Sequence, residues 1–441
     1  MSAFKHRVGR LGARAVLLAS VSVMMLAIGA LGASGASAAG VCTGSNIKGE
    51  GASLQGKAQS VWNAGFNTNG AGCVGGPTVT YTATGSGAGL EAFGLNNHAL
   101  KTEDVYVSSD DAPNAGQLEE MRTRLREEGA THPNTTDLAV FPVTQTAIAI
   151  VAHLPSGCTL TQIRNADLEA VFRGTKRNWS EITGQSGCTG TITRIVRKDA
   201  SGSTYQFKHY LHVLHGTKDV CTGKLGEVTW QELQNNSKVK VGEEEVLPNT
   251  TWPTCGEATN LETPTGTGGS ELVKKVNAKA GSIGYAALAD AENPANQTAG
   301  TLTILKVQNS GLPTFASPVG SGSNAACTET EYANRPKNLA GTEFTTWEEA
   351  ETSPLNLDWS SVYGSNPTIS GTKYPICTLT WSIAASESTA VFGAASKTTV
   401  IDYQKYVLAN AGGVADLSGN WYAPVPANPL TVAEAAVNSI T

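Results

Sequence analysis

Apolar residues recur along this chain in two rhythms: short β-branched runs, and stretches in which they return every three or four positions. The sharpest change of rhythm is at Arg197-Lys198-Asp199-Ala200-Ser201-Gly202-Ser203, after which Phe207, Tyr210, Leu211 and Leu214 carry helical spacing. Hydroxyl residues just ahead of such a face predict a helix start. The same arrangement recurs at Gly49 to Ser53 before Ala58, Val61, Trp62 and Phe66, and at Gly266 to Ser270 before Leu272, Val273 and Val276. Gly85-Ser86-Gly87-Ala88-Gly89 is a fourth case, running out of the strand-like TVTYTAT (78–84) and into Leu90 and Phe93. DVYVSS (104–109) predicts a strand whose end carries Asp110 and Asp111. Residues 138–154 predict one long strand or two, and 168–182 a helix and turn with Phe172 and Trp179 in the core. RIVRKD (194–199), GSIGYAAL (281–288), TLTILKV (301–307) and YPICTLTWSIAA (374–385) predict strands, and a helix is expected at about 399–411. Residues 308–372 read only as loops with a short helix near Trp347.

Strands alternating with helices predict an α/β chain built on mostly parallel sheets. In such sheets ligands sit beyond the carboxyl ends of the strands, where Ser53, Ser86, Asp110, Asp111 and Ser201 all fall. A helix start presents unpartnered N–H groups and a partial positive charge. With Arg197, Ser201, Gly202 and Ser203, these loops make a cradle for a tetrahedral oxyanion. Other chemistry is poorly supported. His209, His212 and His215 share one helix, but steps of three spread them around it, so no metal site is expected. Ser86 has Thr84 where a nucleophile elbow needs glycine, so no catalytic residue is assigned.

Composition narrows the class. Lys5, Arg7, Arg10 and Arg14 precede an apolar run from about Ala15 to Leu31 and small residues through Ala39, the order of a secretory leader. Residues 1–39 are therefore read as a signal peptide, and the product as extracytoplasmic. Val41 stands before Cys42, where a lipidated cysteine needs a small residue, so no lipid anchor is expected. Removing residues 1–39 takes away four Lys/Arg and no Asp/Glu, leaving 27 basic against 37 acidic residues, a net charge of −10. That excludes a nucleic-acid partner but not a small anion held at contact distance. About 400 residues exceed a single core, so two lobes are expected. The eight cysteines of an exported chain predict four disulfides. The simplest pairing is sequential: Cys42–Cys73, Cys158–Cys188, Cys221–Cys255 and Cys327–Cys377.

Seven segments in order, GEGASLQG (49–56), TATGSGAGL (82–90), SSDDAP (108–113), LEAVFRGTKRNW (168–179), VRKDASGST (196–204), GSIGY (281–285) and YPICTLTW (374–381), carry a resemblance along nearly the whole mature chain. They resemble the phosphate-binding proteins that serve the bacterial phosphate ABC transporter. The resemblance implies a two-lobed periplasmic-binding-protein fold of type II that closes on inorganic phosphate without turnover. It implies a first lobe from 40–145 and from 374–441, a second lobe from 146–373, and crossings near Phe141–Val151 and Tyr374–Trp381. Carried over residue by residue, phosphate contacts fall on Ser53, the N–H of Leu54, Ser86, Arg197, Ser201, Gly202 and Ser203, with Asp199 supporting the arginine. The aspartate ligand is Asp110 or Asp111, because SSDDAP has one residue more than the family's Ser-Asp-Ala-Pro; Asp110, directly after the serine, is favoured. Ser53-Leu54-Gln55 stands where the family usually has Thr-Phe-Pro. The implied protein is a monomer without cofactor or metal whose partners are phosphate and a phosphate ABC transporter permease. Alternatives are a phosphate-ester hydrolase on the same cradle, a binder of sulfate or molybdate, and an exported interaction protein with a vestigial site.

Overall fold

The computed structural model describes residues 43–441 except 69–72, 74, 129–136, 216–218, 222–227, 230–238, 242–243, 247–249, 254–258, 310–313, 328–331, 333 and 363–373. The leader segment, Cys42 and Cys255 lie outside the described residues. The chain starts with β1 (Ile47–Gly51), α1 (Gly56–Thr68), β2 (Val79–Thr82), α2 (Ser86–Ala92), β3 (Asp104–Ser109) and α3 (Ala115–Glu128). β1 lies between β2 and β3 and runs parallel to both. That topology brings the three following segments, with Ser53, Ser86 and Asp110, to one edge of the sheet.

The 16-residue β4 (Leu138–His153) is the longest strand among the described residues, and at about 3.3 Å per residue it is roughly 50 Å long. Its first ten residues pair antiparallel with the returning strand Cys377–Ala385, which also pairs with β3. Its last six pair antiparallel with Ser282–Ala287, and Thr303–Leu305 pairs with Ile150–Ala152. Nearly all of β4 is buried. A strand covered on both faces reads as a largely apolar run, as 138–154 does apart from the buried Thr144, Gln145 and Thr146 and from His153. Beyond β4 come β5 (Gln162–Ile163), α4 (Asn165–Arg173), β6 (Thr193–Ile195), α5 (Gly202–His215) and α6 (Gly269–Ala278). β6 runs parallel to both Leu261–Glu262 and Ser282–Ala287. The parallel pairing expected from the alternation holds for β1 and for β6 with both of their neighbours, whereas Thr303–Gln308 with Phe315–Ala316, Asp219–Cys221 with Val228–Thr229 and Val239–Val241 with Glu244–Val246 pair antiparallel. At the crossing the two long strands run in opposite directions, because one leaves the first lobe and the other returns to it.

Several boundaries moved, among them the starts of Thr303–Gln308, Cys377–Ala385 and α4, and two have a clear cause. The strand expected over 194–199 ends at Ile195. Its neighbour stops at Glu262, whose carbonyl takes the N–H of Val196, so Arg197 to Asp199 have no ladder to extend. The C-terminal helix expected at 399–411 spans Ala394–Leu408. The favourable Ala394 and Ala395 lengthen its start, while Gly412 and Gly413 follow soon after its end.

Aromatic packing sets the position of α5. Phe207 lies against Phe172 with centroids 4.6 Å apart and against Tyr285 at 4.7 Å, and Tyr210 and Leu211 are buried beside them. Burial of each such side chain contributes about 1.5–3 kcal/mol. This anchors the start of the helix, and with it the loop before it. Two of the sequential disulfides are seen, Cys158–Cys188 and Cys327–Cys377. Among the described residues no helix is long and apolar enough to cross a membrane.

Candidate ligand site between the lobes

Each strand-end loop is held in place by backbone geometry that its own sequence specifies. Gly85 precedes α2 with φ 110°, a conformation that excludes most side chains, and its N–H donates to Gly51 O at 2.8 Å. The loop after β2 is thereby tied to the end of β1. Gly268 caps α6 with φ 92°, and neither helix start receives a hydrogen bond from its capping side chain. Ser201 Oγ accepts the N–H of Thr204 at 3.4 Å, capping α5.

These loops meet across the lobes. Arg197 Nη2 donates to Ser53 Oγ at 3.0 Å, and its Nε donates to Asp199 Oδ1 at 2.8 Å; Nη2 also pairs with Asp199 Oδ2. Ser86 Oγ accepts the N–H of Asp110 at 3.0 Å and, from the other lobe, the N–H of Gly202 at 3.2 Å. The N–H of Gly268 reaches Asp199 Oδ1 at 3.4 Å. A methyl group on Gly85 would stand 2.9 Å from Ala200 O, and one on Gly87 2.8 Å from Ala200 Cβ. The glycines are therefore what lets the loops touch. Two hydrogen-bonded sets result, Ser53 with Arg197, Asp199 and Gly268, and Ser86 with Asp110 and Gly202; the charge of Arg197 is felt at Asp110. Ser201 and Ser203 are buried at the start of α5, and Leu54 is buried with its carbonyl accepting the Tyr422 hydroxyl at 2.6 Å.

The electrostatics are those of a dry site. Arg197 is buried, and its Nη1 has no hydrogen-bond partner. Burial works against its charge, but the Asp199 carboxylate more than offsets this, so its pKa lies above the ordinary guanidinium value. Burial pushes the Asp110 carboxyl from the usual 3.8 up to about 7, against the opposing effects of Thr380, Arg197 and Ser86. Asp111 takes a different place. Its Oδ1 is unpartnered, and burial raises it to about 8 while the charge of Lys208 opposes the shift. Lys208, on α5, is lowered to about 7 by burial and donates to Thr251 O at 2.9 Å.

Several members of this neighbourhood were not singled out in the sequence. Thr380 donates to Asp110 Oδ1 at 2.7 Å from within an apolar-looking strand. Asp290, raised by burial and facing Arg197, accepts Ser270 Oγ at 2.6 Å. The Gly266–Ser270 loop did carry the strand-to-helix signal, which pointed to Gly268.

A family model described as the PBP superfamily domain matches residues 36–411. The chain belongs to the PBP superfamily. Solved structures agree with that superfamily's fold. A phosphate-binding protein from Stenotrophomonas maltophilia superposes with a TM-score of 0.58 at 17% identity, covering 90% of this chain and 93% of the other. PfluDING, a high-affinity periplasmic phosphate-binding protein bound with phosphate, gives a TM-score of 0.56 at 21% identity, covering 86% and 91%. At these identities the likeness establishes the two-lobed fold of the superfamily. Alkaline phosphatase L of Pseudomonas aeruginosa is 28% identical over 179 residues, 39% of this chain, and the match spans 43% of that protein's length.

Proposed function

We propose that this PBP-superfamily chain captures inorganic phosphate between its lobes and releases it unchanged. The observation that carries the reading is the unpartnered Nη1 of a buried arginine that is hydrogen-bonded to Ser53, with Ser86 and the N–H of Gly202 in a second hydrogen-bonded set around Asp110. A buried donor of that strength left unpaired costs more than a neutral one, roughly upward of 1–3 kcal/mol, and an oxyanion relieves the cost. The structural relatives named above are phosphate-binding proteins, which points to the same ligand.

In this reading Ser53, the N–H of Leu54, Ser86, Asp110, Arg197, Ser201, Gly202 and Ser203 contact the anion, while Asp199 fixes the guanidinium fork. Asp110 takes the aspartate position and Asp111 does not, because Asp110 joins Ser86 whereas Asp111 faces Lys208. Specificity follows from protons. Phosphate near neutral pH retains at least one and can donate to a carboxylate; sulfate has none and meets Asp110 as like charge. Rejection by an unpaired buried charge can reach several orders of magnitude.

The lobes divide near residues 145 and 373, at the long strand and at the return of the chain. The two disulfides favour an oxidising, extracytoplasmic setting, with residues 1–39 acting as an export signal. There the chain would act as a monomer, scavenging phosphate or delivering it to a phosphate ABC transporter permease. The test is an assay of the purified mature chain for bound or exchangeable phosphate. Recovery near one phosphate per chain supports the reading; no bound phosphate and no exchange with labelled phosphate overturn it. Incubation with an aryl phosphate should release none.

A further inference from the structure

Behind Asp110 runs a file of buried polar side chains outside the proposed ligand set. Tyr106 donates its hydroxyl to Gln59 Oε1 at 2.9 Å, and the Tyr403 hydroxyl lies 2.8 Å from the same oxygen and 2.7 Å from Asn63 Oδ1. Gln59 Nε2 donates to Gln55 Oε1 at 2.9 Å. Gln55 Nε2 donates both to the backbone O of Trp381 at 2.9 Å and to Thr380 Oγ1 at 2.7 Å. Thr380 Oγ1 lies 2.7 Å from Asp110 Oδ1. Every side chain in this file is buried.

One carbonyl fixes the direction of the whole file. A backbone oxygen only accepts, so the Gln55 atom beside Trp381 O must be its NH2 group, whose second hydrogen goes to Thr380 Oγ1. Thr380 then has one proton of its own left to give. It goes to Asp110 Oδ1 rather than to Ser109 O, which lies farther off at 3.4 Å. The strand register helps to aim it. Thr380 pairs with Thr144 but Trp381 pairs with Pro142, a shift at which Val143 is the extra residue. Such bulges redirect side chains and accommodate proline.

We propose that Gln55 and Thr380 are specificity-positioning residues that keep Asp110 Oδ1 a permanent acceptor, so that the proton shared with the anion is held only at Oδ2, the oxygen beside Ser86. The inference rests on the phosphate reading. A fixed donor at Oδ1 favours the carboxylate. Without it Asp110 stays protonated to higher pH, offers an O–H to the anion, and ceases to reject sulfate. The other groups facing Asp110 are Ser86, whose hydroxyl reaches Oδ2 at 3.4 Å and favours its charge, Arg197, which also favours it, Asp290 and Asp111, which oppose it, and the phenols of Tyr81 and Tyr422. None of them belongs to the file.

The test is calorimetric titration with phosphate and with sulfate from about pH 5 to about pH 9, on the wild type, Thr380→Val, Thr380→Ser and Gln55→Leu, each checked for folding by circular dichroism. In the wild type sulfate binding should emerge only as pH falls and Asp110 gains its proton. Thr380→Val should move that emergence up by about one to two pH units, the worth of a hydrogen bond to a charged group. Thr380→Ser should restore the wild-type profile. Gln55→Leu, which frees the Thr380 hydroxyl to turn away, should move it in the same direction by less, and keeps the test alive if Thr380→Val does not fold. Weaker binding of both anions with an unmoved pH profile would mean a purely structural role and overturn the inference. A wild type that binds no phosphate would instead overturn the functional reading on which it rests.

Discussion

Asp110 is placed where it costs stability, which is the mark of a residue kept for binding rather than folding. Folding raises its pKa from 3.8 to about 7, so between those values the folded chain holds more protons than the unfolded one. The cost therefore builds as pH rises from about 4 to about 7 and persists in full above that range. Asp110→Asn should raise the melting temperature of the ligand-free protein at pH 8 and leave it nearly unchanged at pH 4, as read by calorimetric scans. It should also admit sulfate at pH 8. Arg197→Lys should weaken phosphate binding by roughly tenfold to a hundredfold in titrations, since a point charge cannot reproduce a fork held by Asp199 and Ser53. Arg197, Ser86 and Ser53 were legible in the sequence because glycine and hydroxyl residues at a change of rhythm signal a helix start. Thr380 and Gln55 were not. Their polarity matters only because they are buried, and a threonine within CTLTWSIAA reads as β-propensity until its neighbour across the sheet is known.

Among the elements, α5 reaches both the Ser86 and the Asp110 loops. Its first residue, Gly202, sends its N–H to Ser86, and Gln206 Nε2 reaches Asp110 O at 3.3 Å. A methyl group at Gly202 would overlap Asp110 Cβ and stand 2.8 Å from Ser86 Oγ. Gly202→Ala should thus cost roughly tenfold to a hundredfold in phosphate affinity through impaired closure, with little change in the unfolding midpoint of the ligand-free form. Phe207→Ala, by contrast, should destabilise by about 3–5 kcal/mol in denaturant titrations, because it empties the contact with Phe172 and Tyr285. The type of each of these elements followed from period and capping residues. Their ends did not, since they depend on neighbours: β6 stops where Leu261–Glu262 stops.

In the whole molecule, β4 and Cys377–Ala385 pair antiparallel along nine residues of the returning strand, and in the proposed reading closure would bend the chain about them. The alternation of strands and helices announced the α/β class, and the length of about 400 residues the need for two cores. Neither could reveal that the crossing strands run antiparallel, because direction in a sheet is set by which distant segments pair. The disulfides lie outside the ligand set. Cys158–Cys188 closes a separation of 30 residues and Cys327–Cys377 one of 50, so reducing either should lower stability by up to about 4 kcal/mol while leaving phosphate stoichiometry intact. The most direct test of the central claim is calorimetric titration of the purified mature chain, stripped of bound anion, at pH 8. The account predicts saturable binding of one phosphate per chain and no detectable heat with sulfate; absence of phosphate binding, or equal binding of both anions, would contradict it.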